Sequence, residues 1–534
     1  MLRKKYSKRL RAMIIVFSLI LLVLSYRTYD VVTKYSPQST KGSVANTQVE
    51  NLSETNYMLL DTNGKDLRSY KKKYVVVIDS KPFSLNNFEE NIEGLLAFNF
   101  IMKSQVDNFA YDEVLKKGGK SYFVVNQEAY EKVNKIQGVK GIYTYVYDEI
   151  ERNYAWGIGD ILSNINEKNN YDGDSLEAKL LNEIKSNNPP QGKFEIEKDG
   201  TYKAGVLGVN PENKNIKLTI DLDMNEKIKD ILNKEQFSNL SNIGVILMDS
   251  ETGKIKALAQ KDDSIPNILI GAEGLGFEPA STFKLIVEEA ALENKAVTLD
   301  STFTCTGQIC QKDGKPYSHG TLTVRKALEI SCNDTFYHVA QKVGYDKLME
   351  MAEKQGLYSK VLGLTKEVTG QKPLEEASLR NIAIGQSMTV TPIQMAGAIN
   401  TIVNNGVYVE PSVIEGFVDN KDNVVDTFNY KMTTVISKET ANLIKSNMRD
   451  VVSKGTGTTA YIKNVEIGGK TGSATGSNGT THGWFGGYFK KGNKNYTMIV
   501  FVPDINGKNK QGEDLVGGNT AAPVFKDIVL ELLK

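Results

Sequence analysis

The chain has 534 residues, enough for two or three domains, and its 40% hydrophobic content with 45 glycines and 13 prolines fits an ordinary folded protein. Its 65 basic and 64 acidic side chains almost balance, but six of the basic ones lie in the first eleven residues, where there is no acid. The remainder is therefore mildly acidic. This argues against a nucleic-acid-binding face, because such a face needs a basic patch.

An uncharged segment, residues 12–26, follows the basic tip and ends at Arg27. It is short for a membrane span, so a cleavable signal peptide is the competing interpretation. No small-residue cleavage site follows it, and Arg11 and Arg27 can extend to the two interfaces. We expect an uncleaved single-pass anchor over 12–30 in the cell membrane, with the tip 1–11 cytoplasmic and the rest outside.

The next two regions carry no cluster of chemically reactive groups. Residues 31–56 are polar and predict a stalk. Over 57–214 we predict a β-rich N-terminal module that acts as a scaffold or binds a partner. Its clearest strand signals are runs rich in β-branched and aromatic residues at 74–78, 121–125 and 142–146. Residues 160–215, rich in Asn, Lys, Asp and Gly, predict a linker or an extended arm within this region.

A second domain is predicted over 215–534. A strand at 216–222 and a helix at 224–232 come first, and a hairpin of 243–248 with 254–259 follows. The stretch 280–390 is mostly helical in pattern, and the tail predicts strands at 483–489 and 496–502 and a helix at 519–534. The simplest arrangement is an α/β (α+β) fold: an antiparallel sheet covered by helices, with an inserted helical lobe.

The three cysteines are Cys305, Cys310 and Cys332. In an exported protein Cys305 and Cys310 could form a disulfide across a small loop, but three free thiols are an equal alternative. The chain has no C-x-x-C pair, and its three histidines are scattered along the sequence, so we do not expect a zinc site.

Ser281 and Lys284 form an S-x-x-K pattern at the predicted start of a helix. Residues three apart share a helix face, so the amine can approach the hydroxyl. A serine hydroxyl is a poor nucleophile until a base takes its proton, and a desolvated neutral lysine can act as that base. The backbone N–H groups at the helix N-terminus also favour developing negative charge.

Two later motifs supply groups that would complement this pair. Ser331 and Asn333 lie two residues apart in a predicted turn; the hydroxyl can relay a proton and the amide can bind a carbonyl. The predicted strand around 466–474 contains Lys470-Thr471-Gly472-Ser473. There the glycines let a ligand lie against the backbone, and the lysine and hydroxyls can bind a carboxylate.

S-x-x-K, S-x-N and K-T-G in this order are typical of penicillin-binding proteins, and the chain resembles that family. The likeness extends to Asp249–Ala259, which resembles the family's first hairpin, to an Ile384-Gly385-Gln386 segment followed by Thr391-Pro392, and to Trp484–Tyr488 after K-T-G. Because we find no glycosyltransferase segment, the monofunctional class B type fits best. Residues 57–64 and 151–154 weakly resemble its N-terminal dimerisation or pedestal module.

The resemblance implies a peptidoglycan D,D-transpeptidase that needs no cofactor and no metal. Ser281 would attack the penultimate D-Ala carbonyl of a stem peptide, with Lys284 as base and Ser331 as proton relay. Asn333 would orient the acyl part, and Lys470, Thr471, Gly472 and Ser473 would bind the terminal carboxylate. β-Lactam antibiotics would acylate Ser281 by resembling D-Ala-D-Ala. A membrane glycan polymerase and other cell-wall assembly proteins are the implied partners.

Three alternatives share the fold: a β-lactamase, a β-lactam sensor and a non-catalytic cell-wall assembly factor. A β-lactamase needs a carboxylate to activate water, and Glu376 is the only faint candidate, in a segment that Arg380 interrupts. A sensor or an assembly factor with a silent site should have lost motif residues, yet all are present. A P-loop is excluded because Asn464 stands where the motif requires glycine.

Overall fold

The structure is a computed structural model that describes residues 47–152, 155–312, 315–476, 479–509 and 511–534. The predicted cytoplasmic tip and membrane anchor lie outside these ranges. Across the described ranges, every helix is too short or too polar to cross a membrane.

The described chain folds as two compact units. Within the described ranges, the first comprises residues 47–54 together with 72–149 and 189–209, and the second comprises 55–71, 150–188 and 210–534. The boundary at residue 215 stays a prediction, but contacts assign 55–71 and 150–188 to the same unit as the C-terminal part of the chain.

The first unit is built around the strand Tyr70–Asp79, which lies between Lys120–Val125 and Ile142–Ile150. Successive side chains of a strand point to opposite faces, and both faces are covered here. Val76 and Ile78 pack into one apolar cluster, while Val75 and Val77 pack into another. The three predicted strands are confirmed. The helices of this unit are Ser80–Phe83, Phe88–Lys103, Tyr111–Lys117 and Gln127–Asn134.

Residues 160–215 differ from the expected linker or extended arm. They contain the helix Leu176–Ile184 and a hairpin of Gln191–Ile196 with Tyr202–Gly208, and the helix Ile158–Leu162 lies at their start. The hairpin forms a three-stranded sheet with Thr47–Asn51, antiparallel to Gln191–Ile196. Its stability depends on a partner far away in sequence, which explains why local composition suggested a loop.

A five-stranded antiparallel sheet is the centre of the second unit. Its strand order is Ile255–Gln260, Gly244–Asp249, Lys494–Ile505, Thr481–Lys491 and Ile467–Thr475. Val245 and Leu247 pack on one face with the helices Leu222–Leu232 and Ala521–Leu532. Ile246 and Met248 pack on the other face with Lys284–Glu293, Pro392–Val403 and Lys438–Lys454. The predicted sheet covered by helices is confirmed.

The predicted helical stretch 280–390 contains Val324–Glu329, Asn333–Val343, Tyr345–Glu353 and Leu379–Ile382 in addition to Lys284–Glu293. It also contains two small hairpins that the sequence pattern did not indicate, Thr302–Cys305 with Gly320–Thr323 and Gln311–Lys312 with Lys315–Pro316. The remaining strands form small sheets at Leu59–Leu60, Asn215–Leu218, Ile414–Val418 and Val424–Thr427, and at Val407–Val409 with Met432–Thr434.

Two adjacent glutamates on Lys284–Glu293 are completely buried. Glu289 accepts a hydrogen bond from the Gln355 amide at 2.6 Å, and Glu288 accepts one from the Asn447 amide at 2.7 Å. Burial raises the pKa of each carboxyl to about 8. The second oxygen of Glu289 and the amide oxygen of Gln355 have no other partner, which fits a protonated acid that returns a hydrogen bond to the amide.

We predict that Glu289→Gln stabilises the protein more at alkaline than at acid pH. The carboxyl has a pKa of about 8 when folded against 4.5 as its ordinary value, so the unfolded chain releases this proton first. Stability therefore falls as pH rises between these two values, and a neutral amide of the same shape removes that loss. We expect a melting temperature higher by about 2–6 °C near pH 8.5, with a smaller gain near pH 5.

Glu293→Gln on the same helix is the matched control. Its carboxylate accepts hydrogen bonds from Ser437 and from Thr440, and these bonds lower its pKa although partial burial opposes them. It should show no alkaline gain. An equal shift of the Glu289→Gln melting temperature at both pH values would contradict the prediction.

Candidate active site

Ser281 lies in a single 3-10 turn, Ala280–Phe283, that leads directly into the helix Lys284–Glu293. The turn is held in a strained conformation, because Ala280 has a φ of 50°, a region that residues with a side chain rarely adopt. Its backbone N–H donates to the Gly385 carbonyl at 3.1 Å. The Ile384-Gly385-Gln386 segment noted in the sequence is therefore the support that fixes the position of Ser281.

The Lys284 amine connects the first motif with the second. The side chain is fully buried, and its Nζ donates to the Ser331 carbonyl at 2.8 Å, to Ser331 Oγ at 3.1 Å and to Asn333 Oδ1 at 2.6 Å. Both of its hydrogen-bonding residues belong to the S-x-N turn, and among the described residues no hydrogen bond joins the amine to the Ser281 hydroxyl. The predicted turn at 331–333 is confirmed, with Ser331 at a φ of 60°.

Burial lowers the pKa of Lys284 from 10.5 to about 7, against a smaller opposing effect of Cys332 and Cys310. Removing an ammonium from water disfavours its charged form, and the three acceptors do not fully replace the lost hydration. A lysine with a pKa near 7 is neutral in a large fraction of molecules at neutral pH. It can therefore accept a proton, which an ordinary lysine cannot do under these conditions.

The K-T-G motif lies on Ile467–Thr475, the strand at one edge of the central sheet. A Cβ on Gly472 would lie 3.1 Å from the Pro279 carbonyl oxygen and 3.1 Å from Thr282 Cγ2. The absence of a side chain at Gly472 thus lets the strand pass close to the turn that carries Ser281. This contact brings the third motif beside the first.

Lys470 is the second fully buried amine of the site. Its Nζ donates to the Thr471 carbonyl at 2.8 Å and contacts Thr471 Oγ1 at 3.4 Å. Burial and, secondarily, the positive charge of Lys284 hold its pKa well below the usual range. Two desolvated amines that repel each other resist being charged together, and an anion bound beside them would favour their protonated forms.

The other two residues of the K-T-G strand face different surroundings. Ser473 is exposed, and its Oγ accepts a hydrogen bond from the Gly517 backbone at 3.1 Å. Thr471 Oγ1 lies 2.8 Å from Thr456 Oγ1. Sequence reasoning missed Thr456 and Gly517, because both lie outside any motif and approach the strand only through the fold.

The structure therefore brings all three predicted motifs together. Lys284, Ser331 and Asn333 are directly hydrogen bonded, and Gly472 abuts the Ser281 turn. An edge strand has unpaired backbone N–H and C=O groups, so an extended peptide can add beside Ile467–Thr475. The site therefore combines a serine hydroxyl, a buried lysine with a lowered pKa and, along one side, an edge strand that carries a second buried amine.

A family model described as the penicillin binding protein transpeptidase domain matches residues 243–530. The chain belongs to this family. The match covers all three motifs and the whole central sheet, so the family predicted from S-x-x-K, S-x-N and K-T-G is confirmed.

Curated relatives agree with this family assignment. Penicillin-binding protein PbpB of Mycolicibacterium smegmatis is 27% identical over 68% of this chain and 60% of its own length. Peptidoglycan D,D-transpeptidase FtsI of Buchnera aphidicola subsp. Baizongia pistaciae is 27% identical over 77% of this chain and 74% of its own length. The chain spans 60% of the length of the PbpB relative and 53% of the length of stage V sporulation protein D of Bacillus subtilis.

Solved structures share the fold. A peptidoglycan synthetase from Bifidobacterium adolescentis superposes with a TM-score of 0.65 at 18% identity, covering 91% of this chain and 96% of that one. A structure titled for the coordination of polymerization and crosslinking by a peptidoglycan synthase complex has a TM-score of 0.64 at 19% identity, covering 98% and 97%. The mixed α/β architecture is thus that of known penicillin-binding proteins.

We predict that Gly385→Ala displaces the Ser281 turn. A Cβ at this position would lie 2.1 Å from the Ala280 carbonyl oxygen, a distance that requires the backbone to move. We expect a loss of about 2–3 kcal/mol in the free energy of unfolding, measured by denaturant titration.

Gly492→Ala is the matched control, because Gly492 also has a positive φ, 59°, and no atom near its would-be Cβ. This variant should lose only the free energy needed to hold alanine in the left-handed conformation, about 1–2 kcal/mol. Gly385→Ala at or below the cost of this control would contradict the proposed role of the Gly385 contact.

Proposed function

We propose that this chain is a class B peptidoglycan D,D-transpeptidase, which crosslinks stem peptides through an acyl-enzyme on Ser281. The observation that carries the proposal is the buried Lys284 amine, whose lowered pKa and hydrogen bonds to Ser331 and Asn333 unite a base with a proton relay. The family membership and the relative named as a D,D-transpeptidase support the reaction class.

In the first half of the reaction, Ser281 Oγ attacks the penultimate D-Ala carbonyl, and neutral Lys284 receives the hydroxyl proton. The tetrahedral intermediate then breaks its C–N bond and expels the terminal D-Ala as an amine. Ser331 Oγ, 3.1 Å from the Lys284 amine, passes a proton to that leaving nitrogen. The product is an ester between Ser281 and the shortened stem peptide.

Backbone N–H groups of Ser281 and Ser473 would stabilise the oxyanion, a contribution of about 3–4 kcal/mol when such donors are preorganised. Asn333 would orient the acyl part of the donor. Lys470, Thr471 and Ser473 would bind the terminal carboxylate. The substrate carboxylate supplies the counter-charge that buried Lys470 lacks, so binding would raise the pKa of this amine and strengthen the ion pair.

In the second half, an amine of a second stem peptide attacks the ester carbon. The C–O bond to Ser281 breaks, and an amide crosslink forms while the serine hydroxyl regains its proton. β-Lactam antibiotics would enter the same site and acylate Ser281, because their strained amide occupies the place of D-Ala-D-Ala.

The surroundings of Glu376, the candidate carboxylate of the β-lactamase alternative, do not favour that role. Glu376 is exposed to solvent on the described chain, as expected for a solvated surface rather than for a residue that activates water at a buried ester. A sensor or a silent assembly factor is disfavoured because the site retains a low-pKa lysine and its relay.

We predict that a labelled penicillin acylates the full chain at Ser281 and that the adduct persists. Ser281→Ala should abolish labelling because it removes the nucleophile. Ser453→Ala, a change at an exposed serine, should label normally. Intact-mass and peptide analysis locate the adduct, and a chase without free penicillin measures its lifetime.

The outcomes separate the candidates. Release of the label within seconds would indicate a β-lactamase, and no labelling would indicate a non-catalytic role. Persistent labelling together with crosslinking of stem-peptide substrates would support the transpeptidase.

We predict that acylation slows below neutral pH. The Lys284 amine must be neutral to accept a proton, and with a pKa of about 7 it becomes protonated as the pH falls through that value. The second-order rate constant should fall by about tenfold per pH unit below this pKa and level off above it. Stopped-flow acylation by a fluorescent penicillin measures the profile. An unchanged rate between about pH 5.5 and about pH 8.5 would exclude Lys284 as the base.

We also propose where the protein works and with what. The basic tip and the uncharged segment 12–26 support a single-pass anchor, with the catalytic unit on the extracellular side of the cell membrane. Stem peptides and a membrane glycan polymerase are the proposed partners, together with other cell-wall assembly proteins. The fold shared with a protein studied in a peptidoglycan synthase complex supports this assignment.

A further inference from the structure

The side chains of all three cysteines and one histidine lie close together beside the active site. They belong to the lobe within 280–390 that contains the two small hairpins and the S-x-N turn. The ligand atoms of Cys305, Cys310, His319 and Cys332 all lie within 4.8 Å of one another. The three thiols are buried, and none is in a disulfide. The alternative of three free thiols is therefore the one that the structure supports, and the Cys305–Cys310 disulfide is not formed.

Three separate pieces of the lobe deliver these side chains. Cys305 ends the strand Thr302–Cys305 and pairs in register with Gly320, the neighbour of His319. Cys310 directly precedes the small hairpin that begins at Gln311. Cys332 is the residue before the helix Asn333–Val343. Because no two of the four residues come from one short spacing motif, local sequence patterns led us to expect no zinc site, although the fold brings these four ligands together.

Two of the six distances between the ligand atoms match a tetrahedral zinc site, and all six are within 4.8 Å. Zinc bonds of about 2.3 Å to sulfur and about 2.0–2.1 Å to nitrogen place tetrahedral sulfurs about 3.8 Å apart, and a sulfur and a nitrogen about 3.5 Å apart. Cys310 Sγ lies 3.7 Å from Cys332 Sγ, and Cys305 Sγ lies 3.5 Å from His319 Nδ1. A disulfide would instead need about 2.05 Å between the sulfurs.

The surroundings hold the four groups in place. Thr335 donates its hydroxyl to Cys332 Sγ at 3.3 Å, as expected of a donor that supports a thiolate ligand. Asp334 Oδ2 accepts the Thr306 hydroxyl at 2.9 Å and also its backbone N–H, which fixes the chain just after Cys305. The Tyr317 ring packs edge-on against the His319 ring at 5.0 Å.

We propose that Cys305, Cys310, Cys332 and His319 bind one structural Zn²⁺, and that this ion braces the S-x-N turn of the active site. Three thiolates and one imidazole form a closed tetrahedral set of the kind that favours zinc over harder cations. Binding releases three thiol protons and leaves the complex with one net negative charge. Neither the family's three motifs nor the proposed reaction requires this ion.

The link to the active site is covalent and short. Cys332 lies between Ser331 and Asn333, the two residues that accept hydrogen bonds from the Lys284 amine. Ser331 is held at a φ of 60°, a conformation that needs support from its neighbours. A metal–sulfur bond at Cys332 would hold the turn at the residue between the two that contact Lys284. The ion therefore acts by positioning Ser331 and Asn333, away from the reacting atoms.

The metal is tested first by itself, with Zn²⁺ as the probe on the purified full chain. We expect one zinc per chain by elemental analysis, and a thiolate-to-cobalt absorption band after replacement by Co²⁺. Since losing an outer-shell partner already weakens metal binding about 10–100-fold, Cys310→Ser and His319→Ala should each weaken Zn²⁺ affinity by more than about 100-fold. His338→Ala, a change of a histidine outside the cluster, should retain the metal.

Several results would overturn the metal site: zinc far below one per chain after purification without chelator, equal affinity in His319→Ala and the parent chain, or an intact mass showing a Cys310–Cys332 disulfide in freshly prepared protein. Circular dichroism shows whether a variant has unfolded. If it has, the Co²⁺ spectrum of the parent chain decides whether the metal site exists.

The bracing role rests on the proposed function and is tested separately. Removing zinc under reducing conditions should slow acylation of Ser281 by labelled penicillin at least about tenfold, and restoring Zn²⁺ should recover the rate. The His338→Ala control should respond as the parent does. An unchanged rate without zinc would overturn the bracing role. A chain that binds zinc but is never acylated would overturn the proposed function and leave the metal site standing.

Discussion

The buried amine of Lys284 is the constraint on which the rest of the site depends. An amine that is fully removed from water must find acceptors, and here all three come from the S-x-N turn, two from Ser331 and one from Asn333. These bonds fix the distance between two segments that lie about fifty residues apart in sequence. They also leave the amine under-solvated, which lowers its pKa to about 7. The same burial thus assembles the site and produces the base.

The site concentrates features that are individually unfavourable. Lys470 is a second buried amine, and Ala280 and Ser331 both adopt positive φ values. Such conformations persist only where the surrounding structure over-determines them. The surroundings here are the five-stranded sheet and its two apolar faces, with Gly472 and Gly385 allowing backbone to approach the Ser281 turn closely. A rigid core therefore maintains strained backbone at the site, which is a common way of preorganising catalytic groups.

The S-x-N turn is held from two sides. Ser331 and Asn333 face Lys284, while Cys332 between them faces the thiol and imidazole cluster. A metal ion bound to Cys332 would be connected to the relay hydroxyl of Ser331 through one residue. A structural metal site in the lobe and the catalytic groups would then depend on the same turn. Stability of the lobe and reactivity of Ser281 would then be coupled without any contact between metal and substrate.

The sequence by itself determined the three motifs, the family, the hairpin at 243–259 and the strands at 483–489 and 496–502, because these depend on local patterns of period two, turn residues and short spacing. It did not determine the structure of 160–215, whose hairpin pairs with Thr47–Asn51, or the small hairpins of the lobe. It also missed the support from Thr456 and Gly517 and the meeting of Cys305, Cys310, His319 and Cys332. Only tertiary structure decided these, since each joins residues distant in sequence, and the lowered pKa of Lys284 likewise arises from burial that no local pattern encodes.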